Sequence, residues 1–299
     1  MTRYTWKLLR AGPLRLDGGS MFGVVPRAIW NRNVPCDEQG RIELSHNCLL
    51  LGGPHRVVIE VGSGDKFDEK NRRLFGLSDR SIIDALREAD CRCEDVAHVI
   101  VTHLHFDHAG GLTRRVRDGT AMVRTFPNAT VHVQRREWED ALTNRSVMTR
   151  TYLRDNLEPI RPQLRLIDSP TPFAAGHLPQ RDELPQMPLA ERETEILPGI
   201  NVFNVPGHTW GQQAVGFIDD RGRTVVFTPD IVPTAAHVGA AYNMAYDVEP
   251  FISTVTRRWF LKEAAERDWL LVLVHEPGEP RRRVRPDGKG WYELVPAED

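Results

Sequence analysis

Short apolar stretches, punctuated by glycine, proline and charged residues, run the length of this chain, and their periods predict alternating strands and helices. Tyr4 to Arg10, Asn47 to Leu51 and Arg56 to Val61 read as strands, the last closing on the turn Gly62-Ser63-Gly64. Ser78 then precedes a segment with Ile82, Ile83 and Leu86 on one face, a capped amphipathic helix. That helix feeds Val96 to Val101, a continuous apolar run of the kind buried on both faces of a layered sheet. Val131 to Val133 is a further strand, followed by a helix from about Arg135 to Leu142. The pattern resumes with Ile200 to Val205, then a hairpin of Ala214 to Ile218 and Thr224 to Phe227. A helix from about Pro250 to Arg267 leads to the strand Leu270 to Val274, and a closing hairpin has Trp291 to Val295 as its second arm. Strands and helices in this order, then the same again, predict an α/β domain of two sheets packed together with helices outside, carrying an internal pseudo-duplication.

One region breaks the pattern. Pro159, Pro162, Pro170, Pro172, Pro179, Pro185, Pro188 and Pro198 punctuate the stretch 159–198, which reads as mostly irregular chain inserted into a single domain spanning 1–299. Long loops in compact domains are usually functional. The expectation is that this stretch and the segment Phe22 to Trp30 approach the functional edge and set substrate size.

Composition narrows the classes. With 40% hydrophobic and 27% charged residues the chain can bury a substantial core. Lys+Arg 39 against Asp+Glu 41 leaves a net charge of -2, which gives no electrostatic reason to expect nucleic acid or an acidic membrane. Arg281-Arg282-Arg283 with Arg285 reads as a solvated turn. The apolar runs are strand-sized, too short to span a bilayer, and Met1 to Leu16 carries charges throughout, so a cytoplasmic address is the default. Cys36, Cys48, Cys91 and Cys93 do not form a disulfide scaffold, and Cys91-Arg92-Cys93 is too closely spaced for an ordinary zinc clamp.

The histidines carry the chemistry. Val96 to Val101 runs directly into Thr102-His103-Leu104-His105-Phe106-Asp107-His108-Ala109-Gly110-Gly111, with three imidazoles and one carboxylate within six residues. Imidazole suits divalent first-row metals, and His103 and His105, two apart on extended chain, point the same way. Asp107 and His108 sit where the chain turns and can reach a second ion. Three later strands each end on one ligand-type residue: His208 in Pro206-Gly207-His208-Thr209, Asp230 in Thr228-Pro229-Asp230, and His275 in Val274-His275-Glu276-Pro277. His46, His55, His98, His132 and His177 lack such spacing and read as structural or surface residues.

This combination, HxHxDH followed by a distant Gly-His, an Asp after a strand and a final His, resembles the metallo-β-lactamase-fold hydrolases. The resemblance implies an αβ/βα four-layer sandwich with a binuclear zinc site at one edge, other divalent first-row metals being able to substitute. It implies that His103, His105 and His208 hold one metal, that Asp107, His108 and His275 hold the other, and that Asp230 bridges them. Redox di-iron members place an acid where this chain has His105, and the true β-lactamases place a thiolate where it has Asp230, so the ligands favour zinc and ester-type hydrolysis. The implied catalytic residues are Asp107 and Asp230, with a metal-bridging hydroxide attacking the substrate.

The histidine loop is similar to that of quorum-quenching N-acyl-homoserine lactonases, and Asp17 to Pro26 followed by Trp30 resembles one branch of them. Pro233 to His237 and the ending Gly288 to Pro296 resemble methyl parathion hydrolase-like enzymes. A small-molecule ester is therefore expected as substrate, most naturally a lactone, with a phosphotriester or aryl ester as the alternative. The best-known lactonases place a Tyr three residues past the bridging Asp; here that residue is Pro233, and Tyr242 and Tyr246 are the nearby phenols. Glu60 stands where the fold usually has an Asp at a strand end near the metals. Phe22, Trp30, His237 and Tyr242 are candidate substrate contacts. No RNA-binding arm is visible, and assembly is left open, a homodimer included.

Overall fold

The computed structural model describes residues 2–53, 55–116, 119, 121–148, 150–173 and 177–297. In chain order its strands are β1 (Thr5–Asp17), β2 (Arg41–Gly52), β3 (Arg56–Ile59), β4 (Val96–Ile100), β5 (Thr113–Arg115), β6 (Met122–Arg124), β7 (Thr130–Gln134) and β8 (Leu164–Ile167). There follow β9 (Thr194–Leu197), β10 (Ile200–Asn204), β11 (Gln213–Ile218), β12 (Thr224–Thr228), β13 (Leu270–Leu273), β14 (Arg281–Pro286) and β15 (Tyr292–Pro296). One sheet has the order β1-β2-β3-β4-β7-β8, the other β15-β14-β13-β12-β11-β10-β9, and β5-β6 forms a small separate hairpin.

Alternation along the strands shows why there are four layers. Successive side chains of a strand face opposite sides. Val57 and Ile59 enter a core shared with Val215, Phe227 and Val272 of the second sheet, so this core lies between the sheets. Val58 and Val99 instead join Ile82, Leu86 and Trp138 from helices outside the first sheet. On the second sheet Val226, Leu271 and Leu273 pack outward against Trp259 and Phe260 of the helix Pro250–Glu266. Helix, sheet, sheet, helix is the predicted sandwich. The strands that read as unbroken apolar runs are the parallel ones with both faces covered: β4 pairs in parallel with β3 and β7, and β13 with β12.

Three local readings change. β1 does not stop near Arg10 but continues to Asp17 across a register shift between Arg10 and Pro13. The helix Ile82–Glu88 is capped by Ser81, whose hydroxyl accepts from the Ile83 N–H while Asp84 accepts from the Ser81 N–H. Ser78 instead accepts from the Arg80 N–H, closing the turn before the helix. The 159–198 stretch is more ordered than its prolines imply. It supplies β8 and β9, the edge strands of the two sheets, and a short helix Leu189–Arg192 whose Arg192 lies 4.4 Å above the Trp259 ring. Residues 174–176 of this stretch lie outside the described residues.

The four cysteines are free thiols. No described helix is long and apolar enough to cross a membrane. If Ser81 is the cap, Ser81→Ala should lower unfolding free energy by about 1 kcal/mol in urea. Ser78→Ala should change it by less than about 0.5 kcal/mol; the reverse ranking would return the cap to Ser78.

Candidate metal centre

Four strand ends meet at one edge of the sandwich. β4 delivers His103 and His105, and the short helix Phe106–Ala109 that follows carries Asp107 and His108. β10 leads to His208, β12 to Asp230 and β13 to His275. The loops must lie very close together. A Cβ on Gly110 would sit 2.1 Å from the Ser63 carbonyl oxygen, and one on Gly207 2.4 Å from the Ser253 hydroxyl, so a side chain at either position would push the ligand loops out of place.

All seven residues that the sequence singled out converge, every one of them buried. Their donor atoms fall into three overlapping sets: His103, His105 and His208; Asp107, His108 and His275; and His103, His108 and Asp230. His105 Nδ1 lies 3.2 Å from His103 Nε2 and 3.0 Å from His208 Nε2. On the other side His108 Nε2 and His275 Nε2 are 3.1 Å apart, with Asp107 Oδ2 at 3.5 Å from the latter. Asp230 stands between the groups, its Oδ2 3.3 Å from His208 Nε2 and 3.5 Å from His108 Nε2, its Oδ1 3.4 Å from His275 Nε2.

This donor set fits two divalent cations. Asp230 Oδ1 is buried without a hydrogen-bond partner, and stranding such an atom is costly unless something else satisfies it. Burial, reinforced by the neighbouring imidazoles, holds His103 and His105 well below the ordinary imidazole pKa, leaving neutral rings suited to coordination. Burial acts the same way on His108 and His208, but Asp230 outweighs it, with Asp107 and Glu60 helping at His108 and Asp247 at His208, so both are raised. Burial resists ionisation of Asp230 too, and the surrounding histidines still hold it far below the usual carboxylate range. The protein thus keeps an anion at the centre of a ring of imidazole nitrogens.

The outward-facing ring nitrogens of His108, His208 and His275 are engaged. Glu60 Oε2 accepts from His108 Nδ1 at 3.0 Å, Asp247 Oδ1 from His208 Nδ1 at 2.9 Å, and the Ser45 carbonyl from His275 Nδ1 at 3.0 Å. Such contacts fix ring orientation and raise ligand basicity. Glu60 therefore does reach the site: its longer side chain comes from a backbone held at φ 66°, and its other oxygen accepts the Thr102 N–H. Sequence reasoning missed Asp247 and Glu137, because each acts from a remote segment with no motif of its own. Glu137, on the helix Arg135–Leu142, accepts from the Leu104 N–H, the Thr209 hydroxyl and the Tyr152 hydroxyl, so one buried carboxylate ties the loop of His103 and His105 to that of His208. His46 is structural as expected, bonding the Gly12 carbonyl and the Ser63 hydroxyl.

A cavity of about 400 Å³ opens onto His105, Asp107, His208, Asp230 and His275. Leu16, Met21, Phe75, Phe106, Val147, Met148 and Met244 make its wall apolar, and Arg150 and Tyr246 complete it. Burial pushes the Tyr246 phenol up to about 12. The four predicted substrate contacts are not among the lining residues. Phe22 is wholly buried, stacked between Trp30 at 5.1 Å and His237 at 4.6 Å, with Tyr242 edge-on at 5.8 Å. His237 Nε2–H donates to the Met21 carbonyl, and its Nδ1 accepts from the Thr234 hydroxyl. These rings support the wall at Met21 rather than forming it. The 159–198 stretch contributes no described lining residue either; Val147, Met148 and Arg150 occupy the rim instead.

The orienting carboxylates give a direct expectation. Asp247→Asn and Glu60→Gln should each weaken metal binding by about 10- to 100-fold, measured by competition with a chromogenic chelator. Parent affinity in both variants would show that these contacts do not tune the ligands.

The sequence pattern of the Metallo-beta-lactamase superfamily matches residues 41–275. An N-acyl homoserine lactonase of Bacillus thuringiensis is 26% identical over 205 residues, 68% of this chain and 65% of that protein, so the match spans slightly under two thirds of the relative's length. A probable metal-dependent hydrolase from Staphylococcus aureus superposes over 100% of both chains with a TM-score of 0.78 at 26% identity. AidC, a dizinc quorum-quenching lactonase solved with the product N-hexanoyl-L-homoserine, shares the fold at a TM-score of 0.75 and 17% identity, covering 99% of this chain and 98% of that one. The chain belongs to the metallo-β-lactamase superfamily and is related in sequence to N-acyl homoserine lactonases.

Proposed function

We propose that this protein is a dizinc hydrolase of ester bonds whose substrate is a lactone of the N-acyl-homoserine type. The observation that carries the reading is Asp230, poised between two sets of buried ligands at the floor of a largely apolar cavity. An oxygen donor at this position favours two closely coupled ions. The cavity is of a size that buries a ring and an acyl chain. The lactonases among the relatives support the same chemistry.

Two zinc ions bound there supply a water of near-neutral pKa and polarise the substrate's carbonyl oxygen. The chain's own residues do the rest. Asp107, whose Oδ2 faces His275, orients the attacking water and takes its proton. As the water oxygen bonds to the carbonyl carbon, the ring C–O bond breaks, and the same carboxylate returns the proton to the departing alkoxide. The products are a carboxylic acid and an alcohol on one molecule. Because that leaving group stays tethered, the site needs no separate strong acid, and none lines the cavity among the described residues. Met21, Met148, Met244 and Phe106 exclude water around the acyl chain, and methionine adapts its shape to chains of different length.

A test on one zinc-loaded preparation compares homoserine lactones of increasing acyl length, a simple γ-lactone, an aryl ester and an aryl phosphotriester. The lactones should lead, and kcat/KM should rise about fourfold per methylene until the wall is filled, from roughly 0.8 kcal/mol for each buried methylene. A phosphotriester kcat/KM a hundredfold above the best lactone would transfer the site to phosphorus chemistry.

A further inference from the structure

We infer that Arg150 selects substrates whose acyl chain ends in a carboxylate, its guanidinium holding that distal anion at the mouth of the cavity while the ester carbon lies at the ligand cluster. The inference rests on the ester-hydrolase reading above and deepens it, naming a feature of the substrate remote from the reacting bond. The cavity changes character along its depth. His105, Asp107, His208, Asp230 and His275, all buried, form its floor, and Met21, Phe106 and Met244 make the wall above them apolar. Val147 and Arg150 stand at its rim, both exposed. Arg150 is the one lysine or arginine among the described lining residues.

The guanidinium is left for an outside partner. Among the described residues none forms an ion pair or hydrogen bond with it, although arginines nearby in the chain are neutralised: Arg145 by Asp140 at 3.3 Å and Arg154 by Glu158 at 3.5 Å. The chain on either side nonetheless fixes its place. Met148 lines the cavity, and its N–H donates to the Ser146 hydroxyl at 3.1 Å. Beyond Arg150, Thr151 and Tyr152 are buried, and the Tyr152 hydroxyl donates at 3.0 Å to Glu137, the carboxylate that joins two ligand loops. The arginine is therefore carried on a segment anchored to the cluster whose cavity it borders. Val147, 55% exposed, places an apolar surface at the same rim, which suits a methylene chain that leaves the wall and ends on an anion. A carboxylate fits better than a phosphate dianion. One planar guanidinium offers parallel N–H donors to two coplanar oxygens, and its single charge balances a single negative one.

A contact this far from the reacting bond is made equally in the bound substrate and in the transition state, so its loss appears in KM and spares kcat. The experiment uses two pairs of substrates on the zinc-loaded protein, N-acyl homoserine lactones and p-nitrophenyl esters, each with an acyl chain ending either in a carboxylate or in the matching primary amide. Arg150→Met keeps the apolar length of the side chain and removes its charge; Arg150→Lys keeps the charge and gives up the planar fork. The parent should prefer the carboxylate by about tenfold in kcat/KM, between the worth of an exposed ion pair and of a desolvated charged hydrogen bond, and by less at about 0.5 M salt. Arg150→Met should raise KM for the carboxylate about tenfold with kcat within about twofold, and Arg150→Lys should restore part of the loss. Isothermal titration with the ring-opened lactone products reads the same contact without turnover: Arg150→Met should weaken binding of the carboxylate-ended product about tenfold and of the amide-ended one by less than about threefold. A parent without the preference, or a preference that survives Arg150→Met, would overturn the inference. So would an equal loss on carboxylate and amide, which would show that the arginine stem only covers the wall. Aryl esters turned over with the preference while lactones stay inert would overturn the lactone reading and keep the inference; lactones turned over without it would do the reverse. A parent inert on both pairs would overturn the reading of the reaction, and the titration then decides the role of Arg150.

Discussion

Five imidazoles and two carboxylates, all buried and all pointing into a volume a few ångströms across, impose the constraint on which the rest of this molecule depends. Imidazole nitrogens 3.0–3.2 Å apart can share protons pairwise, but such sharing still strands Asp230 Oδ1. Divalent cations held by these residues would answer both problems at once, because the inward atoms would serve as ligands and the anion at Asp230 would be neutralised. Without them the arrangement is one that folding would avoid, since buried polar atoms without partners are costly. The fold must therefore hold these groups together by means that do not rely on their mutual attraction.

Bracing from outside is how it does so. The ligands come from four strand ends widely separated in sequence, and each strand is anchored by a core on both faces. Beyond the strands, buried carboxylates turn the rings. Glu60 fixes His108 and the Thr102 backbone, Asp247 fixes His208, and Glu137 joins the chain at Leu104 to that at Thr209. Glu60 adopts a left-handed backbone at φ 66°, a conformation that costs a non-glycine residue on the order of 1 kcal/mol or more and persists only where the surroundings over-determine it. Strain of this kind beside a ligand is consistent with a site whose geometry outranks local comfort.

The cavity follows from the same economy of parts. Met21 reaches it because Phe22, Trp30 and His237 stack behind it, and Met244 and Tyr246 because their loop is tied to both Ser20 and His208. Cavity shape and the orientation of the His208 ring are thus coupled through two short segments, and a change in either would be felt by the other.

Sequence alone determined the layered fold and the ligands, and the reasons are local. The strands were readable because those buried on both faces are continuous apolar runs, and the ligands because metal chemistry demands particular side chains immediately past strand ends. HxHxDH binds this logic into six residues. What tertiary structure decided is everything that depends on which distant segments meet. The cap fell to Ser81 over Ser78, a choice of three residues that a periodicity cannot resolve. The 159–198 prolines concealed two edge strands of four residues each, because the prolines lie outside these strands and strands so short carry little pattern. Phe22, Trp30, His237 and Tyr242 looked like pocket residues by type, yet aromatic side chains serve equally well as packing, and here they support the wall from behind. Asp247, Glu137 and the rim residues Val147, Met148 and Arg150 had no signal at all, since a lone acid or methionine acquires its role only from the neighbours that folding brings to it.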